Sequence, residues 1–241
     1  MSKTDPIRDR NKLSRLADFF LKRGEFRNYL LIIFGTCTAL RISDLLELRW
    51  EDVYDFEKKK YRHQIFLTEK KTGKEKQVAL NRDLINALKI GFQHRNGNYI
   101  FSNGRKKENH ISRAHAYRII KNAAKEVGIE GTIGCHSLRK TFGYFAWKYE
   151  KISVALLMEI YNHSSESTTK RYLGIAQDDV NQVYLNIKFG FKSHNKSFPP
   201  AHCMRQGEND PMAGKPIKYK PGRINQKNKN SHKKRKNKIM W

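Results

Sequence analysis

The sequence predicts an α+β fold, mainly α: a helical body that carries a small antiparallel β-sheet near its start. Two observations carry this. Apolar residues recur at intervals of three and four along most of the chain, as in Leu13, Leu16, Phe19 and Phe20. Between Trp50 and Leu80 that rhythm gives way to "HQIFL" and "KQVAL", short runs of β-formers flanking "KKTGK", whose Gly73 suits a tight turn.

In chain order, helices are expected over 11–23 and 26–38, then a short one through "LLEL" capped by Ser43 or Asp44. The hairpin follows, with a third strand expected near 50–56. Beyond Leu80 the helical period returns, placing helices at about 82–92, 112–127, 137–149, 153–161, 166–172 and 178–187. Within 153–161, Val154, Leu157, Met158 and Tyr161 share one face, which reads as core packing. No internal repeat is visible.

The charge is extreme and uneven. Of a formal net charge of +26 over 241 residues, 191–241 contribute +12, from 14 Lys/Arg against 2 Asp/Glu, and the rest of the chain contributes +14. Five of the six prolines also fall after residue 190. That stretch reads as a basic disordered tail, and the body before it is cationic in its own right. The implied partner is a polyanion, nucleic acid first, with an anionic membrane surface as the competing reading for the tail.

Cys37, Cys135 and Cys203 lie far apart with no CxxC spacing, which excludes a disulfide framework or a zinc knuckle and fits a reducing compartment. The longest apolar run, "YLLIIFGTCTAL", is too short for a membrane span, and "MSKTDPIRDRNK" lacks the apolar core of a signal peptide. A cytoplasmic, nucleoid-associated protein is expected.

Five places carry polar groups that are costly to keep. Arg41 sits in "TALRISDLLELRW" at a helix junction, where a structural ion pair is the plainer reading. Lys70, Lys71 and Lys74 surround Thr72-Gly73, either as a solvated basic loop or as a lysine presented to a phosphate. In "CHSLRKT", His136 and Arg139 stand three apart at a helix start, an arrangement that suits a phosphate or simply flanks the helix. Cys135 beside His136 is no thiol-protease dyad, because sequence neighbours rarely form one. Last, "NHSSESTTKRYLGI" supplies His163 and Tyr172, nine positions apart.

Carboxylates are missing from these motifs, so no acidic constellation is offered to Mg²⁺ and no metal or other cofactor is expected. What remains suits phosphoryl transfer without a metal. Cations stabilise the crowded phosphorane, a lysine protonates the leaving oxygen and a tyrosine attacks. A phenol near pKa 10 becomes a useful nucleophile only where cations stabilise its anion and a base takes its proton.

Arg in "ALRISDLLELRW", Lys in "KKTGK", "HSLRKTF" and then "NHSSESTTKRYLGI", in that order, resemble the catalytic domain of the tyrosine recombinases, the phage integrase family, over about 26–187. The resemblance implies that Arg41 and Arg139 grip the scissile phosphate and that Lys71 is the general acid for the leaving 5′ hydroxyl. It implies His136 as the proton acceptor, His163 as a phosphate hydrogen-bonding group and Tyr172 as the nucleophile of a 3′-phosphotyrosyl bond. It further implies double-stranded DNA as partner and a homotetramer on two sites, with no ATP. Where relatives carry Gly before the second His, this chain has Asn162, which tolerates the same left-handed backbone.

The expected organisation is a short N-terminal segment over 1–25 with no separate core-binding domain, a catalytic domain over 26–190 and the basic tail over 191–241. With that half of the usual clamp missing, the chain is expected to bind DNA through the catalytic domain alone, with the basic tail as substitute, or with an accessory DNA-binding protein; a contribution from the tail is favoured. Two other functions share the residues: a nicking-resealing enzyme resembling the type IB topoisomerases, and a catalytically silent DNA-binding remnant.

Overall fold

The structure, a computed structural model, describes residues 4–104, 106–175, 181 and 184–187. Most of the helix expected over 178–187, the tail and Cys203 lie outside them.

Helix α1 (Arg10–Lys22) starts where the Asp9 carboxylate accepts hydrogen bonds from the Asn11 and Lys12 backbone amides at 2.7 and 3.2 Å. Its apolar face, Leu16, Ala17 and Phe20, packs on α2 (Phe26–Cys37). Leu30, Leu31, Ile32, Phe34 and Gly35 are all buried, so α2 is covered nearly all round and forms the axis of the main core. The N-terminal residues join the same core: Ile7 is buried, and its amide donates to Thr141 Oγ1 at 2.8 Å.

The short α3 (Ile42–Leu46) begins earlier than the sequence predicts. Arg41 occupies its N-cap position, and the Asp44 carboxylate accepts the Lys70 backbone amide at 3.1 Å instead of capping the helix. The expected strand near 50–56 is a further correction. Residues Trp50–Val53 form a helical turn, α4, because Asp52 accepts the Arg49 amide at 2.7 Å; only Tyr54–Asp55 (β1) is extended, pairing with Lys60–Tyr61 (β2). The expected hairpin is β3 (Gln64–Thr68) with β4 (Glu75–Ala79), in which the paired Ile65 and Val78 are buried. A third ribbon, β5 (Ser102–Asn103) with β6 (Lys106–His110), is absent from the sequence reading.

Helices α5 (Arg82–Gln93) and α6 (Arg113–Glu126) complete the main core, capped by Asn81 and Ser112. The last three described helices, α7 (Cys135–Lys148), α8 (Val154–Tyr161) and α9 (Glu166–Leu173), enclose a second apolar cluster of Ala39, Leu157, Tyr161 and Leu173. Their close approach depends on Gly143 in α7. A Cβ there would lie 2.1 Å from the Tyr161 hydroxyl and 2.6 Å from Leu173 Cδ2. Gly143→Ala should therefore destabilise the protein by about 1–3 kcal/mol through overpacking, read as the shift in its denaturant midpoint.

Candidate active site

The four sequence motifs converge between the two apolar clusters. Ala39, held in a left-handed conformation at φ 53°, turns the chain out of α2 and directs its carbonyl at Arg139, whose Nη1 donates to it. Arg139 Nη2 donates to the Tyr161 carbonyl at 3.0 Å, and Arg41 Nη2 reaches the same oxygen at 3.4 Å. In return the Tyr161 hydroxyl donates to the Arg139 carbonyl at 2.9 Å. One backbone oxygen at the end of α8 thus sets both guanidinium groups side by side, which like charges would otherwise resist.

Their counter-ion is Glu69, a residue the sequence reading passed over when it found carboxylates missing from the motifs. Its side chain is fully buried, with Oε2 2.6 Å from Arg41 Nη1. Thr72 Oγ1 and Asn162 Nδ2 donate to the same oxygen at 2.8 and 2.9 Å, and Lys76 Nζ lies 3.7 Å from Oε1. Burial raises the carboxyl's pKa, but hydrogen bonds from Arg41, Asn162 and Thr72 outweigh it and hold it at about 2. A single carboxylate ringed by cations serves as their counter-ion rather than as a metal seat. Because the folded value lies below the ordinary 4.5, the stability it lends is present above pH 4.5 and lost as pH falls toward 2. Acid titration of the unfolding free energy should show a loss of about 3 kcal/mol across that window, with Glu69→Gln removing most of the slope.

Of the competing lysines, Lys70 is taken up by Glu47. Lys71 is exposed on the turn, where Gly73 at φ 65° lets the Thr72 and Gly73 amides return to the Glu69 carbonyl. Its charge helps lower the pKa of His163. Lys76 was not among the candidates. It is half-buried, donates to the Ile160 carbonyl at 2.7 Å, and is brought down to about 8 by burial and by Arg139.

His136 stands at the surface in the first turn of α7, while Arg139, on the same helix, is buried. Partial desolvation of its ring and the Arg139, Arg113, Lys140 and Arg41 cations lower the His136 pKa, which favours the neutral imidazole. His163 is lowered further, to about 4, by burial, Arg139, Arg41 and Lys71. Its Nδ1 lies 3.0 Å from Thr169 Oγ1. When that hydroxyl donates, the neutral ring keeps its proton on Nε2, the tautomer that can donate to a phosphate oxygen.

Ser165 caps α9 by accepting from the Thr168 amide at 3.3 Å, so the hydroxyl cluster starts the helix that carries Tyr172. The Tyr172 ring packs 5.0 Å from Tyr161 and 5.2 Å from His163, and Lys140 Nζ lies 5.4 Å from its centre. Its hydroxyl is buried beside the Arg139 guanidinium, which interacts with it without good hydrogen-bond geometry. Burial raises its pKa, and Arg139 and Arg41, though near enough to pull the other way, do not fully offset this. The phenol is therefore held neutral at rest. Cys135 is equally unreactive, its thiol pushed up to about 11 by burial.

Paired arginines, two neutral histidines, a lysine-bearing turn and a tyrosine make a site able to transfer a phosphodiester strand through a covalent tyrosyl bond. The chain belongs to the phage integrase family, whose model matches residues 9–178, starting upstream of the resemblance visible by eye. By family it is a DNA strand-transfer enzyme of the site-specific recombinase class. It is 37% identical over 180 residues to a probable integrase/recombinase, YoeC, of Bacillus subtilis, covering 74% of this chain and 94% of that protein. Other curated tyrosine recombinases are matched over only 55–57% of their length.

In fold it is similar to the crystal structure of XerA recombinase, with a TM-score of 0.62 and 19% identity, covering 78% of this chain and 66% of that one. It is also similar to a lambda integrase tetramer bound to a Holliday junction, with a TM-score of 0.56 and 18% identity, covering 71% of this chain and 49% of that one. Among the described residues no helix is long and apolar enough to cross a membrane.

Proposed function

We propose that this chain breaks and rejoins double-stranded DNA at a specific site through a 3′-phosphotyrosyl intermediate on Tyr172, and that it does so as a homotetramer on two sites in the cytoplasm. The observation that carries the reading is the shared Tyr161 carbonyl, which fixes Arg41 and Arg139 as a pair beside the Tyr172 helix. In cleavage the Tyr172 oxygen attacks phosphorus and its proton passes to His136. The bond to the 5′ oxygen breaks, and Lys71 gives that oxygen a proton. Arg41, Arg139 and His163 hold the phosphate oxygens. Rejoining reverses these transfers, and the phosphotyrosyl bond retains the energy of the phosphodiester, so no ATP is needed. Because the hydroxyl is buried at rest, DNA must draw Tyr172 out before it attacks.

The test is covalent trapping. Protein is mixed with a pool of nicked duplexes whose cleaved end diffuses away, and the trapped DNA is sequenced. Two copies of the recovered site on one plasmid should then be deleted or inverted. A relaxed plasmid without recombinants would point to the topoisomerase-like alternative, and absence of any adduct with DNA binding intact would point to the silent remnant.

The tail is proposed to add salt-sensitive, sequence-independent affinity. Deleting 191–241 removes +12 of charge and should weaken DNA binding and flatten its dependence on salt. An unchanged slope would remove the tail from the interface.

A further inference from the structure

We propose that Glu69 and Asn162 form a strap that holds the Lys71 turn and the Arg41 side chain against the loop bearing His163, with Glu69 as a positioning residue of the strand-transfer site. The inference rests on the catalytic reading of Arg41, Lys71 and His163 given above.

Glu69 joins its own turn and strand β4 to two segments distant in sequence. Its Oε2 receives Arg41 from the start of α3, Thr72 from the turn and Asn162 from the end of α8, 93 residues away. Its Oε1 faces Lys76 on β4, whose ammonium bridges onward to the Ile160 carbonyl at 2.7 Å. With the carboxylate gone, the half-buried Arg41 and Lys76 would confront each other and the buried Arg139 without that counter-ion.

Asn162 explains why the strap reaches the far loop. Its backbone, at φ 53° and ψ 45°, does what a glycine would do. Its side-chain amide does what a glycine cannot, by donating to Glu69 at 2.9 Å. The residue after it is His163 and the second residue after Glu69 is Lys71, so the pair fixes the spacing of two groups assigned to the phosphate and the leaving oxygen. Lys71 and His163 are close enough for the lysine's charge to depress the imidazole.

Two variants isolate the strap. Asn162→Gly keeps the left-handed backbone and removes only the amide; Glu69→Gln keeps the shape and removes the charge. Adduct formation on nicked duplex should fall about tenfold in Asn162→Gly and about 100-fold in Glu69→Gln, the scale of misplaced catalytic groups. The double variant should be no worse than Glu69→Gln alone, because both act through one contact.

A substrate with sulfur at the 5′ bridging position separates the roles, since a thiolate leaves without needing a proton. On it Lys71→Ala and Asn162→Gly should recover, whereas Arg41→Ala should not. Hydrogen exchange of the amides over 71–74 should be faster in both strap variants and unchanged in Lys71→Ala.

Wild-type cleavage by Asn162→Gly, or losses that multiply in the double variant, would overturn the strap. If the wild-type chain forms no adduct on either substrate, the catalytic reading fails by itself. The exchange experiment then decides the strap alone: faster exchange in both variants sustains it, and unchanged exchange overturns it.

Discussion

Tyr172→Phe is expected to bind DNA normally, to form no detectable covalent adduct, and to unfold at the same or a slightly higher temperature than the parent. The loss should be at least about 10⁴-fold, as for other covalent nucleophiles removed from an otherwise intact site. The stability half of the prediction comes from the hydroxyl's surroundings. Phenylalanine keeps the ring contacts with Tyr161 and His163, while deleting a buried oxygen whose contact with the Arg139 guanidinium lacks good hydrogen-bond geometry. A gain of up to about 1 kcal/mol follows, readable by thermal denaturation. A variant that lost both adduct and stability would show that the hydroxyl holds the fold, and Tyr172 would lose its claim to be a nucleophile stored for use.

Arg139→Lys should lower adduct formation by about 10²–10³-fold and cost about 2–3 kcal/mol of stability. Both effects have one geometric origin. The guanidinium spans the Ala39 and Tyr161 carbonyls with separate nitrogens and stands 4.8 Å over the Tyr161 ring. Lysine keeps the charge but offers a single ammonium on a flexible stem, so one buried carbonyl is left unpaired and the phosphate loses a planar donor. Measuring denaturant midpoint and cleavage rate on the same preparation checks both. If lysine supported full cleavage, the phosphate would need only the charge at position 139, and the shared-carbonyl geometry would not matter to the reaction.

The helices were legible because the longer ones carry their own period and several carry their own start signal. Asn81, Ser112, Ser153 and Ser165 all accept the backbone amide that a capping residue should. Two local readings failed where a distant or backbone partner outweighed propensity. "WEDV" looked extended, but Asp52 ties back to the Arg49 amide and winds a turn. The ribbon of β5 and β6 is polar and poor in β-formers; pairing between its strands, rather than composition, makes it extended.

The sequence by itself determined which residues stand as candidates for the reaction and their order along the chain. Two arginines, a turn lysine, two histidines and a tyrosine have chemistries that few other functions share, and side-chain chemistry is local. Only the tertiary structure decided how they are arranged. The pairing of Arg41 with Arg139 on one carbonyl, the Gly143 contact that lets α7 meet α8 and α9, and the Glu69 hub all join residues far apart in sequence. Glu69 stood in plain view as the one acid of "EKKTGK", yet in isolation it reads as a solvated partner for its lysine neighbours. Its half-buried cations come from Arg41 and Lys76, and its amide donor from Asn162. An ion pair takes its strength from burial and geometry, and folding supplies both.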